Sequence, residues 1–492
     1  MKRVVSVALA AIMLLSPIAS EAQRGGTGFE GGIRRNERDS SKSKSYKEVI
    51  YITGEPVELA GTLETKVAAK SIRYKYELEN IEKGITLSRN LTLARELSPS
   101  EDKTQVVEVN KITKYKEEIE ADGDEYELVE YQFHNSTVDD NQPMVTHYQG
   151  SWNGKKVYAV NEDEAELTQT ITGNTFGFDQ FWGATEKQVL RYELDYEPNE
   201  STNTEDPEGE AGAGPWSGTV DTQVSINKTV KDAYIPHTNT VSSFDGIYTL
   251  SEGDETVMKY DYNLPILGEN PNNYRNIGSG ATSYRTTPTQ EQLYIPRYVD
   301  IKTHWGEMYI KKLAGLQAAS IQQKYFLPDK NITREEFAVW LVKSLRLEGM
   351  EKDSTREQTA GGEPKFEDVS KRHPNYDYIQ NVRDRKIMNG VGDNRFGPEE
   401  HLTREEAAVI IARALGIERL APNLPFYTSY GDDKNISIWA KKAVYSVNQV
   451  DIMSGYGGNF MPKGTLTRAE AAALVERIID YMRVDLKGEY GI

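Results

Sequence analysis

Three arginines stand in nearly the same setting along this chain. Arg334, Arg404 and Arg468 lie 70 and 64 positions apart. Their surroundings read Ile332-Thr333-Arg334-Glu335-Glu336, Leu402-Thr403-Arg404-Glu405-Glu406 and Leu466-Thr467-Arg468-Ala469-Glu470. A guanidinium is a fixed fork of donors that can hold a carboxylate through two parallel bonds. The threonine and the glutamate three residues after it have the pattern of a capping box, which satisfies N–H groups at a helix start. An arginine in the first helical turn also sits where the helix dipole favours an anion. The plainer alternative is a solvated charge beside a cap. Apolar residues then recur at helical spacing in each copy: Phe337, Trp340, Leu341 and Leu345; Ala407, Ile410, Ile411 and Ala414; Ala471, Leu474, Val475 and Ile478.

The elements that must position these arginines also repeat. Ahead of the second cap come Tyr378 to Val382 and then Ile387-Met388-Asn389-Gly390-Val391-Gly392. Ahead of the third come Ile438 to Val444 and then Ile452-Met453-Ser454-Gly455-Tyr456-Gly457. Each unit reads as helix, glycine-rich loop and capped helix. The glycines permit positive φ and close approach to a ligand, or serve turn geometry alone. One such unit cannot bury its own apolar face, so three should pack on each other.

Together these motifs resemble S-layer homology repeats. The resemblance also rests on Phe366-Glu367-Asp368-Val369 at a repeat start, and on His304-Trp305-Gly306 and Ile438-Trp439-Ala440 in first helices. It covers roughly residues 298–483, under half of the chain. It implies an all-α pseudo-trimer of helix-loop-helix repeats around a central bundle. Grooves between its prongs would bind a secondary cell-wall polymer, a polysaccharide that often carries pyruvylated sugars. Arg334, Arg404 and Arg468 become the carboxylate-binding candidates, and Gly390, Gly392, Gly455 and Gly457 the loops facing the sugar. Trp305, Trp439 and Tyr456 are candidates to cover sugar faces, with the core as the alternative place for both tryptophans. The first repeat departs from the pattern: Ser320 to Phe326 stands in place of a glycine-rich loop, which predicts an altered groove at Arg334. Pro374 replaces a customary tryptophan, and Lys386 and Asp451 stand where glycine is common. One or two competent grooves are expected.

The rest of the chain has a different texture. Lys2 and Arg3, the apolar run Val4 to Leu15 and Ser20-Glu21-Ala22 predict a secretory signal peptide at 1–22. A flexible leader is expected at 23–45. From 46 to 296, strict alternation, as in Ser71 to Leu78, predicts half-buried strands. These point to antiparallel sandwiches or barrels, taken as sandwich-like modules at 46–196 and 215–296, separated by an acidic linker or loop at 197–214. The repeats are expected at 298–348, 365–418 and 426–483, with a polar insertion at 349–364. The fold class is therefore multidomain, β-rich then all-α.

Composition narrows the chemistry. The 492 residues include no cysteine, which excludes disulfides, thiolate nucleophiles and Cys-based metal sites. A formal charge of -18 argues against broad nucleic-acid binding. No nucleophile elbow, zinc-protease motif or phosphate loop occurs, so no catalytic residue, metal ligand or cofactor is assigned. Asp139-Asp140-Asn141 and Asp432-Asp433 suit calcium or, more simply, turns. The reading is a secreted surface protein anchored to the cell wall, with S-layer or other surface proteins as further partners. A wall-anchored enzyme and an adhesin are the alternatives for the β-rich part. An outer-membrane barrel fits less well, because the strands lack a lipid-facing apolar alternation.

Overall fold

The structure, a computed structural model, describes residues 30–34, 43–68, 70–101, 104–199, 214–236, 246–266, 275–294, 296–347 and 366–489. The expected signal peptide and the 349–364 insertion lie outside these residues.

Alternation along the N-terminal half becomes one antiparallel meander. Its strands are β1 (Ile33–Arg34), β2 (Ser43–Ile50), β3 (Val57–Ala68), β4 (Ser71–Asn80), β5 (Ile85–Pro99), β6 (Gln105–Ala121), β7 (Asp124–Asn141), β8 (Thr146–Val160), β9 (Ala165–Gln180), β10 (Gly183–Pro198), β11 (Trp216–Pro236), β12 (Gly246–Pro265) and β13 (Arg275–Arg285). Each pairs with the next, and β14 (Thr289–Leu293) pairs back onto β12. Successive side chains on a strand point to opposite faces. On β4, Tyr74, Tyr76 and Leu78 turn inward, while Arg73, Lys75 and Glu77 face solvent. The inward residues form one apolar core from Ile33 to Leu264.

The meander curls until its ends meet, making a near-barrel. β1 lies against β12 and β13. Lys47 on β2 reaches Thr282 Oγ1 on β13 at 3.5 Å and stands 5.3 Å from the Tyr284 ring centre. Side chains, with β1 between them, therefore close the seam.

Two expectations change here. The sheet does not divide into modules at 197–214: β10 and β11 pair in continuous register up to Tyr196↔Trp216. The acidic stretch joins two neighbouring strands of one sheet. The leader is not wholly apart from the fold either. Glu30 and Ile33 are buried, β1 pairs with β2, and β2 begins at Ser43. A polar, glycine-rich composition reads as solvated, yet the barrel interior supplies partners for its charges.

The C-terminal region is helical. Helices α1 (Glu307–Gly315) and α2 (Arg334–Ser344) form a first pair, α3 (Tyr376–Asp384) and α4 (Arg404–Leu415) a second, and α5 (Lys441–Gln449) and α6 (Arg468–Asp480) a third. A π-helical turn at Tyr481–Asp485 and α7 (Leu486–Glu489) follow. Each second helix packs on the first helix of the next pair: α2 on α3, α4 on α5, and α6 back on α1. At the centre, the Ile332 N–H donates to the Leu466 carbonyl at 2.9 Å, Leu466 to Leu402 at 2.9 Å, and Leu402 to Ile332 at 3.2 Å. These three fully buried residues close a ring of main-chain bonds with pseudo-threefold symmetry.

Barrel and helices share a core. Val230, Tyr248, Leu250 and Leu293 from the sheet, with Met144 and Trp182 from its connections, join the same apolar cluster as the helices. The Trp182 Nε1–H donates to the Ser344 carbonyl at 3.1 Å, and the Gln180 Nε2–H to the Met482 carbonyl at 2.8 Å.

Candidate functional site

The capping boxes form at all three sites. Thr333, Thr403 and Thr467 each accept from the N–H of the glutamate three residues on, and that glutamate accepts from the threonine N–H. The next two helical N–H groups are also occupied. Arg334 and Glu335 donate to the carbonyls of Glu400 (2.9 Å) and Pro398 (3.1 Å). Arg404 and Glu405 donate to Gly464 (2.9 Å) and Pro462 (3.0 Å), and Arg468 and Ala469 to Lys330 (2.8 Å) and Pro328 (3.0 Å). This corrects the expectation of a helix-terminal anion site: those amides already have protein acceptors.

Each arginine reaches into the loop of the following repeat. Arg334 Nε donates to the Phe396 carbonyl at 3.0 Å and Nη2 to the Asn389 carbonyl at 2.8 Å. Arg404 does the same with Phe460 (2.8 Å) and Ser454 (2.7 Å). Arg468 Nε donates to the Phe326 carbonyl at 2.8 Å, closing the cycle onto the first repeat. The guanidinium carbons lie 5.2, 5.1 and 4.6 Å from the rings of Phe396, Phe460 and Phe326. Each groove is thus shared: the arginine comes from one repeat, and the loop and first-helix start come from the next.

That sharing reverses one expectation. The irregular loop of the first repeat lies beside Arg468, not Arg334. Arg334 faces the glycine-bearing loop of the second repeat, yet it is buried and stands 3.6 Å from Glu406. Arg468 is buried and paired with Glu336. Arg404 is half-buried and has no carboxylate within ion-pair distance among the described residues. Burial draws its pKa down while Glu470 opposes.

The glycines serve packing and turn geometry. A Cβ on Gly455 would meet the Asn459 carbonyl oxygen at 2.3 Å and the Tyr430 ring at 2.7 Å. On Gly390 it would meet the Arg395 carbonyl oxygen at 2.4 Å. Gly392 and Gly457 lie at the loop tips, with positive φ and open space around them. Tyr456 and Asn459 exchange main-chain bonds across a two-residue turn, leaving the Tyr456 ring 82% exposed. Trp305 and Trp439 are 59% and 55% exposed, so neither is a core residue. Trp439 follows Ser437, whose N–H and hydroxyl bond Glu405 beside Arg404 at 3.0 and 2.9 Å. Pro374 takes the corresponding place in the groove of Arg334.

Three aspartates fix the loops, a role that the motif reading gave to none of them. Asp300 accepts the N–H groups of Phe326 and Leu327, Asp368 those of Phe396 and Gly397, and Asp432 those of Phe460 and Met461, all at 2.7–2.9 Å. Their signal was present: Phe326, Phe396 and Phe460 each lie two residues before a proline and share the arginine spacing of 70 and 64. The two Asp432 oxygens are therefore engaged. Asp433 holds Thr428 and Lys441 at 2.7–2.8 Å, and Asp140 accepts from Gln142. Among the described residues no group of acids and histidines is arranged to hold a metal ion.

Comparison with known proteins agrees with this geometry. Residues 297–338, 365–408 and 429–472 each match the S-layer homology domain. The chain is 32% identical to the exoglucanase XynX of Acetivibrio thermocellus over 185 residues, 37% of this chain and 16% of that protein. It is 34% identical to a cellulosome-anchoring protein of the same species over 95 residues, 19% of this chain and 21% of that one. An S-layer protein of Bacillus licheniformis is 32% identical over 114 residues, 22% of this chain and 12% of that protein. The chain spans less than a quarter of the length of each of these relatives. Residues 297–472 thus contain three S-layer homology domains in tandem.

Proposed function

We propose that this chain is held non-covalently to a secondary cell-wall polysaccharide through the groove at Arg404. The single observation carrying this reading is the combination found there. Arg404 is half-buried and free of any carboxylate partner among the described residues, and it is fixed by two loop carbonyls. It shares its groove with the glycine loop that exposes Tyr456 and the helix start that exposes Trp439. A pre-positioned guanidinium suits a sugar-borne carboxylate such as a pyruvyl ketal, and exposed rings suit sugar faces. Arg334 and Arg468, both buried and both facing glutamates, chiefly hold neighbouring repeats together.

We read the barrel as the part displayed outward, without a catalytic role. Its interior carboxylates Glu30, Glu48 and Glu117 are tied to Arg89 and Lys156, which supports that reading. Relatives named as an S-layer protein and a cellulosome-anchoring protein make surface proteins the expected neighbours. The test is co-sedimentation of the whole chain with purified Gram-positive walls before and after chemical removal of pyruvyl groups. Loss of binding after removal is expected. Undiminished binding would reject the carboxylate as the recognised group, and no binding to either preparation would reject the wall polymer.

A further inference from the structure

The barrel interior contains a charge cluster that anchoring does not use. Arg89 on β5 bonds both oxygens of Glu48 on β2 at 2.8 and 2.9 Å and is paired with Glu117 on β6. Lys156 on β8 stands 3.3 Å from both Glu117 oxygens, and the Tyr158 hydroxyl donates to Glu117 at 2.5 Å. Into this cluster comes Glu30, from the segment that leads into β1. Its carboxylate accepts from Tyr115 and Lys156 and lies 3.5 Å from Arg89. Its carbonyl accepts the Tyr192 hydroxyl at 2.7 Å.

The segment is seated like a ligand. A Cβ on Gly32 would meet the Tyr46 hydroxyl at 1.9 Å, and one on Gly31 the Tyr192 hydroxyl at 2.8 Å. Ile33 is fully buried. Arg34, at the other end, faces Glu186, Tyr74 and Asp254. Among the described residues, main-chain pairing to β2 comprises Ile33↔Lys47 and Arg34↔Tyr46. A small void bordered by Glu48, Gln169 and Tyr192 adjoins Glu30.

At the Glu30 end of the seat, charge counting balances without the occupant. Breaking an ordinary buried pair strands a charge. Here, withdrawing Glu30 leaves Arg89 and Lys156 opposite Glu48 and Glu117, two cations facing two carboxylates. With Glu30 in place, three carboxylates share those two cations. The side chains that donate to Glu30 lie on strands that pair with neighbours other than β1.

We propose that the barrel interior is a receptor site for an extended acid-Gly-Gly-aliphatic peptide segment, filled in cis by residues 30–34 and open to the same segment of a second copy of this chain. Exchange of the segment links copies without altering either barrel, and this does not depend on the wall-anchoring reading.

The test uses the full-length chain and a labelled peptide of residues 27–36. Ile33→Asp places a carboxylate in an apolar seat and expels the cis segment. The peptide should bind the Ile33→Asp chain at least tenfold more tightly than the wild-type chain. A Glu30→Gln peptide should bind that variant at least tenfold more weakly. At high concentration the wild-type chain should form a dimer that excess peptide dissolves. A folded Ile33→Asp chain that ignores the peptide overturns the proposal, and peptide binding without a dimer overturns the second copy as occupant. If the variant does not fold, hydrogen exchange of the wild type decides. Amides 31–34 opening well before those of β5 and β6 support an exchangeable segment, and equal protection refutes it.

Discussion

The three arginines of the repeated motif have one sequence signature and three different environments. Arg404 keeps a face toward solvent, while Arg334 and Arg468 are buried beside Glu406 and Glu336. Arg468→Ala would leave the half-buried Glu336 without its cation and the Phe326 carbonyl without its side-chain donor. Chemical denaturation should show a loss of about 2–4 kcal/mol. Arg404→Ala, being half-exposed, should cost about 1 kcal/mol in the same measurement. Lys386 and Asp451 adopt φ of 59° and 54°, a region that penalises a Cβ. Lys386→Gly relieves that penalty at some entropic cost, so thermal unfolding should show a gain of up to about 1 kcal/mol. The motif was legible because capping chemistry is local. Which arginine remains available was not, because its partners come from the neighbouring repeat. The sequence places the irregular Ser320–Phe326 stretch in the same repeat as Arg334, whereas the cyclic arrangement sets it against Arg468.

At the scale of elements, periodicity carried the reading far. The alternation in β4 and the helical spacing after each threonine both correspond to observed elements. Thr403→Ala removes the side-chain acceptor from α4 and should lower stability by about 1 kcal/mol, read from the denaturation midpoint. Closure of the sheet left no such trace. It depends on Lys47 meeting Tyr284 and Thr282 across more than 230 residues, and on a five-residue segment whose glycines and charges look like leader composition. Acidic, glycine-rich text between β10 and β11 likewise suggested a boundary, because a hairpin connection and an interdomain linker use the same residues.

At the scale of the molecule, barrel and repeats unfold as one unit if their shared core governs. Trp182 is fully buried and bonded to the Ser344 carbonyl. Trp182→Ala should cost about 3–5 kcal/mol, and calorimetry should then resolve separate barrel and helical transitions. Beside it, Lys312 pairs with Asp232 at 2.9 Å and with Glu476, while Arg483 pairs with Asp232 at 2.5 Å and with Asp480. Three carboxylates share two cations. Burial pushes the Glu476 carboxyl up to about 7 despite Lys312. A carboxyl raised on folding favours the folded state while it is protonated in that state. That contribution is full below about pH 4.5 and is lost as the pH rises to about 7. Glu476→Gln stays neutral throughout. Its melting temperature should fall less between pH 4.5 and 7 than that of the wild type, and equal slopes would place the titration elsewhere.

The central claim is that one groove, the one at Arg404, anchors the chain. Its most direct test is the equilibrium affinity of the full-length wild type, Arg404→Ala and Arg334→Ala for purified cell walls. All three would be measured below their unfolding transitions. At least a tenfold loss for Arg404→Ala, with wild-type affinity for folded Arg334→Ala, is the predicted result. Wild-type affinity for Arg404→Ala would contradict the account and return that arginine to the role of a structural clamp between repeats.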